Sequence, residues 1–146
     1  MKRQPPFSVE SLPACIMQMP ERAVRKLLGL LAGEEIAVVR GPLLGLVTMS
    51  ALDSFEADFY LGDVLVTEAE VDYAGCRGYG MVIGDDAERA IARASVEAIG
   101  ASPNRILQER VNRFLHAEAK KLESRKKKEA SLIARTRVDF ETMKRT

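Results

Sequence analysis

Histidine is all but missing from this 146-residue chain, which has His116 alone, and cysteine is scarce, with only Cys15 and Cys76. The cysteines have neither a CxxC spacing nor a histidine cluster beside them. No metal site is therefore expected, and both read as free thiols of a reducing cytoplasm. His116 lies in a heavily charged stretch with no serine or cysteine nucleophile arrangement tied to it, and it reads as a solvated side chain. No apolar run approaches the length of a membrane span. The start, Met1-Lys2-Arg3-Gln4-Pro5-Pro6-Phe7, is basic but leads into no signal-peptide hydrophobic region. A Walker-type glycine loop is also lacking. Gly75-x-x-Gly78-x-Gly80 looks like a phosphate loop, but its spacing is not that of the dinucleotide fingerprint, and a strand pattern follows it instead of a helix start. These absences leave no catalytic residue and no cofactor to assign. The expected setting is cytoplasmic, with no membrane contact.

What is present is enough for one folded domain. With 47% hydrophobic and 29% charged residues, the composition is that of a globular protein, and a chain of this length buries roughly 68–70% of its unfolded surface. The charge is unevenly spread. Residues 101–146 hold 13 of the 22 basic side chains but only 6 of the 21 acidic ones. An acidic body over residues 1–100 followed by a basic arm over 101–146 points to an interaction surface more than to a self-contained enzyme.

The patterning begins with two helices. Ser8 can cap one over Val9–Gln18, with Leu12, Cys15, Ile16 and Met19 at helical spacing. Pro20 opens a second over Glu21–Leu31, which buries Ala23, Val24, Leu27, Leu28 and Leu31 and stops at Gly33. Short β-type runs follow at 36–39, stopped by Gly41-Pro42, and at 43–50, apolar enough for a central strand. Another strand starts at 57–61, and Gly62-Asp63 turns the chain into 64–73. From Thr67 to Tyr73 the alternation is strict: Thr67, Ala69, Val71 and Tyr73 on one face, Glu68, Glu70 and Asp72 on the other, the mark of a half-buried strand. Gly75, Gly78 and Gly80 supply turn chemistry before a returning strand at 81–83 that ends at Gly84, so Gly62, Gly75, Gly78, Gly80 and Gly84 are the candidate turn positions. The Asp85-x-x-Glu88 spacing resembles a capping box for a helix over 85–99, whose Ala87, Ala90, Ile91, Ala94 and Ala98 form a narrow face of small residues.

Arg105–Arg135 reads as one long helix, with an apolar stripe of Leu107, Val111, Phe114, Leu115 and Leu122 on its first half. No apolar side chain occurs from Glu123 to Glu129, so the second half gains little by packing and should project. Beyond it Val138, Phe140 and Met143 return, as expected of a tail that grips a partner. The basic stretch at 125–128 could attract nucleic acid, which makes a basic-armed adaptor the alternative reading. Only Phe114 and Phe140 lie in the last 46 residues, so no stacking platform is visible and nucleic acid is not the expected partner. The expected fold is α+β: a mostly antiparallel sheet of about four to five strands covered by helices, with a long projecting C-terminal helix.

Three blocks together resemble a known family. They are Gly45-Leu46-Val47; Phe59-x-x-Gly62-Asp63-x-Leu65-Val66-Thr67-x-Ala69-x-Val71 with Gly78-Tyr79-Gly80-x-Val82-Ile83-Gly84-x-Asp86; and Arg137-Val138-Asp139-Phe140-x-Thr142-Met143. The chain resembles PhnG, the small subunit of the bacterial carbon–phosphorus lyase system, over about residues 20–145. The resemblance implies partners of the PhnI, PhnH, PhnJ and PhnL types. It further implies a role in forming α-D-ribose 1-methylphosphonate 5-triphosphate from ATP and methylphosphonate, with adenine released. ATP is used by that complex and is not assigned to this chain. The resemblance carries over no catalytic residue, and it makes Arg137, Val138, Asp139, Phe140 and Met143 the candidate partner interface. The chain departs from the family pattern at Asp85, where arginine is frequent, and at Glu141, Lys144 and Thr146 in the tail.

Overall fold

The computed structural model describes residues 9–135. A 3-10 helix over Val9–Gln18 leads into α1 (Glu21–Leu31), then β1 (Ile36–Leu52), β2 (Asp58–Tyr73), β3 (Cys76–Ile83), α2 (Ala87–Ala101) and α3 (Arg105–Arg135). The architecture is α+β, with the strands in the order β1-β2-β3 and both pairings antiparallel.

Among the described residues the sheet has three strands, not the four to five that the turn signals suggested. The runs at 36–39 and 43–50 are one 17-residue strand, and those at 57–61 and 64–73 are one of 16. Bulges make this possible, because an irregular register absorbs the residues that would otherwise break the ladder. The β1–β2 register shifts on either side of Arg40, where Gly41-Pro42 is accommodated, and again between Met49 and Ser50, opposite the Gly62 region. Pro42 costs little as a missing donor because β1 is an edge strand.

The strands β2 and β3 join through Ala74 and Gly75, with φ of 53° and 79°. Two consecutive positive φ angles give the turn whose twist matches a hairpin. The turn is therefore complete before Gly78 and Gly80, which lie inside β3. Their lack of a side chain serves packing: a Cβ on Gly78 would stand 2.0 Å from the Ala94 carbonyl oxygen, and one on Gly80 2.3 Å from that of Ala90. These two glycines let α2 lie directly on the sheet, and its Ala90, Ala94 and Ala98 are the small residues that meet them.

The face of β2 marked by alternation is the covered one: Thr67, Ala69, Val71 and Tyr73 are buried, as is Val82 of β3. Helices build the rest of the core. Leu12 and Ile16 of the 3-10 helix, Leu27 of α1, Ile99 of α2 and Leu107, Val111 and Leu115 of α3 form one cluster with Val71. The N-terminal segment is a 3-10 helix with Pro13 inside it. The cap of α2 is Asp86 and not Asp85. Its carboxylate accepts from the Arg89 N–H at 3.0 Å and pairs with the Arg89 guanidinium at 2.8 Å. Arg89 also donates to the carbonyls of Ile16 and Met19, which ties the first turn of α2 to the end of the 3-10 helix. The helix runs on through Gly100 to Ala101.

Asn104 starts α3 by accepting from the Leu107 N–H at 3.1 Å, and its amide donates to the Tyr73 hydroxyl at 2.8 Å. Leu107, Val111, Leu115, Ala119 and Leu122 then bury one stripe. Glu118 is buried beside them and held by the Lys121 ammonium at 2.6 Å. From Ser124 to Arg135 every residue is exposed. At 1.5 Å per residue these twelve residues reach about 18 Å.

Candidate partner-binding surface

The groups able to do chemistry are dispersed or already engaged. On the open face of the inner sheet, Arg40 meets Glu68 at 3.0 Å and Glu70 at 3.8 Å, while Arg77 meets Glu70 at 3.7 Å and Asp72 at 3.8 Å. The Tyr79 hydroxyl donates to Glu68 at 2.8 Å, and that bond raises the tyrosine's pKa. The carboxylates read from sequence as one strand face are thus a surface ion network. Tyr73 donates to Glu34 at 2.8 Å, which raises its pKa as well. Cys15 is packed in the core with its S–H toward the Leu115 carbonyl; burial first, then the nearby Glu118 charge, pushes the thiol up to about 11. His116 is exposed on α3. Among the described residues no group of three or more His, Cys, Asp or Glu side chains is placed to hold a metal ion. No helix among them is long and apolar enough to cross a membrane.

The unusual surface is the outer half of the β1–β2 hairpin. Between Leu43 and Val64 the two strands pair, among the described residues, only with each other, because β3 joins β2 at Val66 and the Gly84 N–H reaches no further than the Leu65 carbonyl. Leu44 (57% exposed), Leu46 (68%) and Leu65 (42%) look toward the side on which α2 lies, and Leu43, Val47 and Met49 look the other way. Both faces are therefore apolar and open. A contiguous patch of this kind marks an interaction site.

The hairpin is also well built. At its tip the Asp53 carboxylate accepts from the backbone N–H groups of Phe55 and Ala57 at 2.8 and 2.9 Å, and Phe55 stands 88% exposed there. Along the ribbon Asp63 accepts from Thr48 at 3.0 Å and from Tyr60 at 2.8 Å. At the root the Thr67 hydroxyl donates to the Gly84 carbonyl at 2.6 Å and accepts from the Asp86 N–H at 3.0 Å.

The basic outer half of α3 leaves the body on the same side. Glu118 and Lys121 lie beside Pro20, Ala23 and Lys26 at the start of α1, and that start adjoins the first turn of α2, next to the ribbon root.

Of the candidate positions from sequence, Gly62 lies within β2 at φ 132°, Gly75 is in the β2–β3 turn, and Gly84 follows β3 at φ 91°. Gly78 and Gly80 are packing positions. Arg137, Val138, Asp139, Phe140 and Met143 fall outside the described residues. Sequence reasoning missed the ribbon as a surface, because an apolar run such as Leu43-Leu44-Gly45-Leu46-Val47 reads as a covered central strand. One signal was available: no lysine or arginine lies between Gly41 and Val66.

Comparison with protein families matches residues 10–146 to the family described as phosphonate metabolism protein PhnG. A search of curated proteins finds no match.

Proposed function

The chain belongs to the PhnG family of phosphonate metabolism proteins, and from that premise we propose that it is an assembly subunit of the carbon–phosphorus lyase system. In this reading it supports a PhnI-type subunit, in company with PhnH-, PhnJ- and PhnL-type partners. Together they form α-D-ribose 1-methylphosphonate 5-triphosphate from ATP and methylphosphonate, with adenine as the leaving base. The family match carries the proposal. The open apolar ribbon supports it, since an apolar surface that the described residues leave uncovered suits a subunit. The family match gives no support to the nucleic-acid adaptor.

The test is an adenine-release assay with the purified PhnI-, PhnH- and PhnL-type subunits, run with and without this chain. Release that depends on its addition is the expected result, together with no release by this chain alone. Equal release in its absence would refute the role.

A further inference from the structure

Three observations on the ribbon at residues 43–65 constrain what covers it. Its two faces are both apolar and open, as described above. Its two edges are open as well among the described residues: β1 pairs with β2 alone, and the other edge of β2 is unpaired from Asp58 to Val64, the Leu65 carbonyl accepting from the Gly84 N–H at 2.8 Å. Every second backbone N–H and C=O along each edge is thus available to another strand. Finally, its charge has one sign. Residues 41–66 contain Asp53, Glu56, Asp58 and Asp63 and no cation. Asp53 closes the tip and Asp63 is bound by Thr48 and Tyr60.

A second copy of this chain meets these demands poorly. Its cationic segment, the outer half of α3, offers no apolar side chain from Glu123 to Glu129, and beyond that Leu132 and Ile133 are the exposed large apolar residues among those described. Its ribbon is apolar but carries no cation, and the cation nearest the root, Arg40, is engaged by Glu68 and Glu70. Among its described residues one copy supplies the charge or the apolar cover, but not both at the same place; the tail at 136–146 holds both kinds of residue, and a dimer made through it is an outcome of the test below.

We infer that the ribbon is inserted into a different protein subunit, which pairs strands with its edges, covers both apolar faces and sets lysine or arginine around its acidic tip. The inserted element is preformed. The tip is closed by Asp53 and the root is pinned by Thr67, so little order has to be created on binding. Main-chain pairing along the edges supplies affinity, and the alternating side chains supply specificity. This inference rests on the assembly reading above and names the part of the chain that makes the contact.

The experiment uses the full chain co-expressed with the PhnI-, PhnH- and PhnJ-type subunits of its own system, the tag being on the PhnI-type partner. Wild-type chain should co-purify. Leu44→Asp/Leu46→Asp and Val47→Asp/Met49→Asp should each weaken binding at least about 30-fold, the level of an interface hot spot, while the isolated variants melt like the wild type. Glu56→Lys/Asp58→Lys at the tip should also weaken it, and Lys126→Ala/Lys127→Ala/Lys128→Ala much less. Hydrogen exchange on the wild-type complex gives a readout free of substitutions: amides on the outer edges of residues 43–52 and 58–65 should slow on assembly. If the wild type assembles, the ribbon variants bind as well, and exchange is unchanged, insertion is wrong and the assembly reading stands. If the wild type binds none of the partners, the assembly reading fails and the inference with it. A ribbon-protected dimer of this chain alone in sedimentation would assign the ribbon to a second copy and overturn the inference.

Discussion

The two halves of β2 are one strand paired to β1 along its length, yet they live in opposite surroundings. In the inner half Thr67, Ala69, Val71 and Tyr73 are buried under α2, and Glu68, Glu70 and Asp72 face solvent in an ion network. In the outer half Phe59, Tyr60 and Leu61 are 47%, 63% and 56% exposed. Apolar content does not separate the halves; length does. The 16 residues of β2 extend about 53 Å at 3.3 Å each, whereas the 15 residues of α2 reach about 22 Å at 1.5 Å each. The helix can cover only as much strand as β3 spans. What lies beyond is left open by the described residues.

The sharpest way to break this comparison is to place the same substitution in each half. Gly80→Val or Gly78→Val drives a side chain into the α2 backbone and should cost about 3 kcal/mol or more. Gly45→Val meets nothing nearer than a Val66 methyl at 3.8 Å and should leave stability within about 0.5 kcal/mol. Thermal and urea unfolding of the isolated chain measure both. Equal effects would mean that α2 does not bear on the sheet as described.

Next in size is truncation. Val71→Ala, at a site with no exposure, should cost about 2–3 kcal/mol through lost burial and a residual cavity. Leu46→Ala, 68% exposed, should cost about 0.5 kcal/mol or less in the same assay. Smaller again is the tie between α2 and the 3-10 helix. Arg89→Ala removes the donor to the Ile16 and Met19 carbonyls, at about 1–3 kcal/mol. Asp86→Ala removes the cap, at about 1 kcal/mol. The ribbon should feel neither, so hydrogen exchange at residues 43–65 should not change while exchange in α2 accelerates.

The mildest effect is one of pH. Burial pushes the Cys15 thiol up to about 11 in the folded protein from its ordinary 9.0, so the folded state holds this proton more tightly. The resulting stabilisation is complete below pH 9 and is lost as the pH rises through 11. Cys15→Ala should flatten the stability profile over that window. At pH 8 a thiol-alkylating reagent should modify the half-buried Cys76 well before Cys15. A profile unchanged by the substitution would show that Cys15 is not the group responsible.

Much of the inner half was legible in the sequence, because alternation at 67–73 and the small-residue stripe at 90, 94 and 98 are local patterns with one packing solution. The long α3 with its solvated end was legible for the same reason. The strand count was not. Gly41-Pro42 and Gly62 look like chain breaks in one dimension, and only the pairing across the sheet shows that bulges take them up. The close approach at Gly78 and Gly80 was read as turn chemistry because glycine answers to both causes. The ribbon was concealed by its own composition, since an apolar run does not say whether its cover lies in the same chain.

The bare edges of that ribbon set a condition on how the protein is supplied. Sheet edges are ordinarily guarded by lysines, which repel another strand, and none occurs between Gly41 and Val66. Pro42, the bulges and four carboxylates are what deters pairing there, and salt weakens the carboxylates' part. A free chain is therefore a candidate for edge-to-edge clumping from the moment of its synthesis until something takes up the ribbon. Such a protein is best made in step with its partner, and an excess of it should turn cloudy sooner as salt is added and screens the carboxylates. Light scattering across salt concentration, with and without the partner present, measures how long the chain can be kept waiting.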